Sequence, residues 1–145
     1  MRISKANQED VDWINSIIKK EFPYTHLTPK KISEKISSKD YLIILTKQDK
    51  NKIGFAEIQY LFNGKKARLN GIFVLQEHRN KGIGKKMIKH LIRKLKKNKI
   101  NELFLLVKKE NEIAKKLYKS IDMIFDRIHD KKIEGSTIEV WKKNI

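Results

Sequence analysis

The stretch Arg79-Asn80-Lys81-Gly82-Ile83-Gly84 has the residue types and spacing to hold an anion. It lies between a strand-like apolar run and a long basic amphipathic segment, so it reads as a strand end, a glycine-bearing turn and a helix start. The first turn of a helix leaves backbone N–H groups unpaired and carries the positive end of the helix dipole. Without a Cβ at Gly82 and Gly84, phosphate oxygens can approach those amides, and the turn can use positive φ angles. Arg79, Lys81, Lys85 and Lys86 add cationic charge around the same point. Two familiar phosphate loops do not fit: the dinucleotide fingerprint needs a third glycine where this chain has Met87, and the P-loop needs Gly-Lys-Ser/Thr where it has Gly84-Lys85-Lys86. Taken alone, the motif is equally well explained as a strand-to-helix turn whose glycines give conformational ease and whose lysines give solubility.

The net charge of +17, from 34 basic and 17 acidic residues, favours an anionic partner: nucleic acid, an acidic protein or a phosphorylated cofactor. Only five of the basic residues are arginines (Arg2, Arg68, Arg79, Arg93 and Arg127), and the lysines are spread along the chain, a distribution that compositional bias also produces. One segment stands apart. Between Glu77 and Glu102 there is no acid, while Arg79, Lys81, Lys85, Lys86, Lys89, Arg93, Lys94, Lys96, Lys97 and Lys99 carry charge. The helix lacks interleaved aromatics and no base-reading motif appears, so nucleic acid is the weaker reading of this field.

The elements that must position the motif follow from periodicity. Arg2 to Ala6 forms a short strand. Asn7, with Asp10 three residues on, starts a helix whose apolar face is Val11, Ile14, Ile17 and Ile18 and which ends near Phe22-Pro23. Thr28-Pro29 starts a second helix lined by Ile32 and Ile36. Strands follow at Tyr41–Leu45, 53–62 and Ala67–Val74, the last two joined by Asn63-Gly64, a type I′ hairpin signal. After the motif comes a helix with Met87, Ile88, Leu91, Ile92 and Leu95 on one face. Leu103–Val107, apolar throughout, reads as a central strand. Asn111–Ile121 reads as a last helix with Ile113, Ala114, Leu117 and Ile121 inward, and Met123–Ile128 and Thr137–Trp141 close the sheet around a Lys131–Gly135 loop. The expectation is one domain over residues 1–145, of mixed α/β (α+β) class: a single, mostly antiparallel sheet of about seven strands flanked by about four helices.

Several classes are excluded or disfavoured. With no cysteine there is no disulfide, thiolate nucleophile or cysteine metal site. His26, His78, His90 and His129 show no H-x-x-x-H spacing, so no metal is expected. No apolar run approaches the roughly 20 residues that span a bilayer, and Met1–Asp12 lacks the apolar core of a signal peptide, so the expectation is a cytoplasmic protein with no membrane partner.

With order and motif both in view, the chain resembles the GNAT family of N-acetyltransferases over essentially its full length. That family's signature, Arg/Gln-x-x-Gly-x-Gly/Ala after a strand ending in valine and before a helix, is matched by the run from Val74 to Lys86. Its second block, Asn-x-x-Ala-x-x-Leu-Tyr, is matched in register by Asn111, Ala114, Leu117 and Tyr118. The resemblance implies direct transfer of an acetyl group from acetyl-CoA to a primary amine: the neutral amine attacks the thioester, an oxyanion forms, and coenzyme A leaves. It implies that Arg79 and the amides of Asn80, Lys81, Gly82, Ile83, Gly84 and Lys85 hold the pyrophosphate. It implies too that the backbone of Ile72, Phe73 and Val74 pairs with pantetheine where the fourth and fifth strands splay, with Val74 N–H polarising the thioester carbonyl. Asn111 would contact the pantetheine arm, a role compatible with capping its helix, and Tyr118 would protonate the departing thiolate. From periodicity alone Tyr118 is a half-buried aromatic with its hydroxyl at the surface.

The amine must lose a proton. Ribosomal-protein N-terminal acetyltransferases use a fifth-strand glutamate where this chain has Leu106, and histone acetyltransferases use a fourth-strand glutamate where it has Arg68. Glu57, amid Phe55, Ile58 and Tyr60, is the remaining candidate base, its alternative being an outward-facing strand residue. The missing glutamates also admit an acyl-CoA sensor without catalysis. The resemblance places the acceptor between Phe22–Thr28 and Asp130–Ser136, with Tyr24 and His26 as candidate lining residues. A small-molecule amine, a peptide N-terminus or a lysine would suit. No oligomeric state follows.

Overall fold

The computed structural model describes residues 1–61, 63 and 65–145. Strands and helices follow in the order β1 (Arg2–Lys5), α1 (Val11–Glu21), α2 (Pro29–Ser37), β2 (Tyr41–Gln48), β3 (Asn51–Leu61), β4 (Lys66–Val74), α3 (Ile83–Lys97), β5 (Glu102–Lys108), α4 (Glu112–Ser120), β6 (Ile124–Ile128) and β7 (Ile138–Asn144). One seven-stranded sheet carries them, in the order β1-β2-β3-β4-β5-β7-β6. Every neighbouring pair is antiparallel except β4–β5. That one parallel pair requires a crossover, which α3 supplies.

Local chemistry sets the helix starts. The Asn7 side chain accepts from Glu9 N–H at 2.9 Å while Asp10 accepts from Asn7 N–H at 2.9 Å, closing a capping box. Thr28 caps α2 by accepting from Lys31 N–H, with Pro29 at the first helical position. Gly82 caps α3 in the left-handed region at φ 79°. Asp122, just past α4, takes φ 65°, a left-handed stop to the helix.

Alternate residues of the strands feed two cores. Ile43, Leu45, Phe55 and Phe73 meet Ile14, Ile18, Ile32 and Ile36 from α1 and α2. On the opposite face Ile44, Ala56, Ile58, Leu69, Leu103 and Leu105 meet Met87, Ile88, Leu91 and Leu95 from α3. β5 lies inside the sheet as its composition suggests, yet its burial alternates.

Two expectations need correction or restriction. Ile113 does not face inward: it is 87% exposed, and the buried positions of α4 are Lys115 and Tyr118. Lys115 reaches inward because partners await it, donating to Lys109 O at 2.7 Å and pairing with Glu139 at 3.4 Å. Desolvation lowers its pKa, but the Glu112 and Glu139 carboxylates together outweigh it and the pKa is raised. The Asn63-Gly64 turn and the end of the third strand at Phe62 fall partly outside the described residues; the flanking pairing, Leu61 with Lys66, is present.

Candidate active site

β4 and β5 part company at mid-length. Their parallel pairing runs from Lys66–Glu102 to Leu69–Leu105 and stops, although β4 continues to Val74 and β5 to Lys108. A bulge falls where they separate: Ile58 pairs with Leu69 and Glu57 with Gly71, leaving Asn70 as the extra residue. A bulge bends its strand and raises local twist, which turns the end of β4 away from β5. Ile72, Phe73 and Val74 therefore line one side of a wedge, paired to β3 on their other edge.

The anion motif sits at the mouth of this wedge. Asn80 and Gly82 both take positive φ, 62° and 79°. The first helical bond of α3 is Lys86 N–H to Gly82 O at 3.1 Å, so the amides of Ile83, Gly84 and Lys85 have no partner within the helix. A Cβ built on Gly82 would meet nothing within 4 Å, whereas one on Gly84 would lie 3.3 Å from Leu117 Cδ2. The two glycines thus do different things. Gly82 makes the turn and keeps its approach open, and Gly84 lets α4 pack against the start of α3. These features fit a diphosphate held by backbone amides. Arg79 has a structural part as well: its Nε donates to Val74 O at 2.8 Å and its guanidinium lies 5.5 Å from the Phe73 ring centre, so it tethers the turn to the end of β4.

α4 closes the wedge on the α3 side. Asn111 caps it, Oδ1 accepting from Ala114 N–H at 3.1 Å, which leaves Nδ2 for a ligand. Tyr118 is 7% exposed and buried, contrary to the expectation of a surface hydroxyl from periodicity. Burial, then the nearby Tyr24, pushes its pKa up to about 12, so the phenol keeps its proton. Tyr24 belongs to the segment between α1 and α2, and Phe22 in the same segment packs edge-on against Phe73 at 6.4 Å. Lys108, at the end of β5, lies 5.9 Å from the Tyr24 ring centre and 3.8 Å from Glu134 in the β6–β7 loop. Burial, then Glu134, raises the pKa of Tyr24. That loop is held down by Ser136 Oγ donating to Glu110 at 2.7 Å, a bond that lowers the Glu110 pKa. Lys108 thus stands between the two segments, Phe22–Thr28 through Tyr24 and Asp130–Ser136 through Glu134. His26 takes φ 52° in the same connection.

Glu57 lies on the α2 face of β3, 8% exposed, where Oε2 accepts from Lys35 Nζ at 3.0 Å and from Asn70 Nδ2 at 2.6 Å. It is neither an outward-facing residue nor a carboxylate among apolar side chains alone. Sequence reasoning did not single out Lys35, Asn70, Lys108 or Glu134. The first two become partners of Glu57 only through a bulge and a helix packed 22 positions away.

A sequence model of the Acetyltransferase (GNAT) family matches residues 11–123. The chain belongs to this family. Solved GNAT-fold structures align along its whole length. The ribosomal-protein-S18-alanine N-acetyltransferase from Escherichia coli superposes with a TM-score of 0.84 at 23% identity, covering 99% of this chain and 93% of that one. The PaiA N-acetyltransferase from Thermoplasma acidophilum, solved in complex with coenzyme A, gives 0.79 at 20% identity and covers 99% and 98%. A spermidine N-acetyltransferase chimera from Vibrio cholerae and hSSAT gives 0.83 at 17% identity and covers 99% and 96%. At these identities the likeness concerns the fold, and the acceptors named differ among the three. The GNAT wedge is distinct from a groove of about 550 Å³ between β1, β2 and α3, lined by Lys5, Lys39, His90 and Lys94 among others.

Proposed function

We propose that this protein transfers the acetyl group of acetyl-CoA to a primary amine by direct attack in a ternary complex. The observation that carries the reading is the wedge itself: an unpaired edge of β4 leading from free helix-start amides to a buried, protonated tyrosine. Acetyl-CoA supplies an activated acyl carbon on a thiol leaving group. The amides from Asn80 to Lys85 bind its diphosphate, with Lys81 and Lys85 adding charge. Ile72 and Val74 offer backbone groups to its pantetheine arm, whereas those of Phe73 turn to Phe55 on β3, and Asn111 Nδ2 is a further donor. Val74 N–H is the proposed oxyanion donor.

Tyr118 is the proposed acid. With a pKa of about 12 it stays protonated at any physiological pH and offers a hydrogen bond to sulfur as the C–S bond breaks. A thiol ordinarily titrates near 8.5, so the phenol is the weaker acid and transfer is coupled to bond breaking rather than preceding it. Glu57 is the proposed acceptor of the amine's proton. Holding the two reactants in line supplies much of the rate.

Replacing Tyr118 by phenylalanine tests this. CoA release from an accepted amine should fall by roughly 100-fold or more, with the calorimetric Kd for acetyl-CoA within about threefold of wild type. Full activity in the variant removes Tyr118 from the mechanism. A second reading is favoured by the Lys35–Glu57 ion pair, which ties up the one candidate base: an acyl-CoA sensor without turnover. Tight acetyl-CoA binding with no CoA release from any amine in a broad panel selects it.

A further inference from the structure

Among the described residues Arg68 Nε has no hydrogen-bond partner. That nitrogen is buried, and among the described residues no carboxylate pairs with the guanidinium. A buried N–H without an acceptor is costly, and Arg68 is only partly buried, so its guanidinium can still turn toward a ligand that supplies one. Arg68 stands opposite Gln59 on β3 and Phe104 on β5, one residue below the Leu69–Leu105 rung at which the two strands part. Its neighbours Ala67 and Leu69 belong to the core beneath α3. Strand alternation therefore sends Arg68 to the other face, where Lys35, Glu57, Gln59 and Asn70 form one hydrogen-bonded row.

The charges around this face do not balance. Glu57 is engaged by Lys35, and Glu134, at the roof, faces Lys108. Arg68, on the same face, has no ion pair among the described residues. Glu57 and Arg68 sit diagonally on adjacent strands, a relation that in a regular ladder puts Cβ atoms about 7–8 Å apart. Oε2 of Glu57 is already spent on Lys35 and Asn70, and no ion pair joins the two. A positive and a negative group at that spacing, both at the base of the wedge, match a molecule that carries the opposite pair.

We infer that the acceptor is an amine bearing an anionic group, a carboxylate or a phosphate, which the Arg68 guanidinium binds while the amine lies toward Glu57. The inference rests on the acetyltransferase reading and names the substrate class for that same site. A guanidinium takes either oxyanion through two parallel N–H bonds. A polyamine would instead bring a second cation to Arg68, a repulsion that grows as water is excluded.

Matched amines test it by CoA release: β-alanine against β-alaninamide, phosphoethanolamine against ethanolamine, a short peptide with aspartate against one with asparagine beside the amine, and spermidine. In wild type the anionic member of at least one pair should be favoured in kcat/KM by roughly tenfold or more. The pair that shows the preference distinguishes carboxylate from phosphate. Arg68→Gln should abolish the preference by raising KM for the anionic amine with kcat little changed, Arg68→Lys should keep part of it, and Arg68→Glu should turn it toward spermidine. The Kd for acetyl-CoA should stay the same in all three, and a thermal melt of each checks the fold. A wild-type enzyme that acetylates neutral amines or spermidine as well as the acids overturns the inference and leaves the acetyltransferase reading standing, as does a folded Arg68→Gln with the preference intact. Loss of acetyl-CoA binding by wild type itself brings down both.

Discussion

Tyr118 links burial to chemistry at a single side chain. Its folded pKa of about 12 lies above the unfolded value near 10, so the native state holds the phenolic proton more tightly. The stability this contributes is complete below pH 10 and is lost as pH rises towards 12. Two pH units correspond to about 3 kcal/mol. Lysines also titrate in this range, so the measurement is a difference: denaturant unfolding of wild type and Tyr118→Phe from about pH 9 upward. Wild type should lose about 3 kcal/mol more than the variant; parallel curves would show that the hydroxyl is solvated in the folded protein. At this scale the sequence was partly legible. The Asn111-to-Tyr118 spacing marked the tyrosine, and Asn111 is the cap it suggested. What stayed hidden were residues whose meaning depends on distant partners. Lys115 breaks the apolar pattern of α4 yet is buried, because Glu139 lies 24 positions away in sequence and Trp141 Nε1 donates to that same carboxylate at 3.0 Å. Ile113 keeps to the pattern and is exposed.

The β4–turn–α3 element was legible almost to the residue, since strand, positive-φ glycine and basic amphipathic helix each leave a local signature. Less visible was how its glycines divide their work, because Gly84 is explained by Leu117 on another helix. Gly54 shows the same limit more sharply: a Cβ there would lie 2.6 Å from Phe73 O, a close approach of β3 to β4 that nothing near Gly54 in sequence announces. Gly82 is the position at which binding and folding separate. Its surroundings are open, and only its φ of 79° is demanding. Gly82→Val forces a β-branched residue out of that region and displaces the first-turn amides. Acetyl-CoA affinity should fall by at least roughly 100-fold, while the strain costs only about 1–3 kcal/mol and the far-UV spectrum and a cooperative melt survive. Calorimetric titration decides it, and an unchanged Kd would remove the turn from the cofactor site.

At the scale of the whole molecule, the two cores share one backbone. Ile43, Ile44 and Leu45 are consecutive in β2, yet the outer two enter the core under α1 and α2 and the middle one enters the core under α3. Neither core can come apart without disturbing the strands that carry the other. We therefore expect residues 1–145 to unfold as one unit, as small single domains usually do. Ile14 and Leu91 probe the two sides, at 1% and 0% exposure. Ile14→Ala and Leu91→Ala should each cost about 2–5 kcal/mol and shift the same transition, followed by tryptophan fluorescence and by circular dichroism together. Trp13 packs against Phe55 on the α1 side and Trp141 lies in the α3 core, so the fluorescence signal reports both. Two transitions, each moved by only one of the substitutions, would mean that the sheet does not couple its faces. The wedge would then owe its shape to the α3 side alone, although Phe22, Tyr24 and Lys35 reach it from the other.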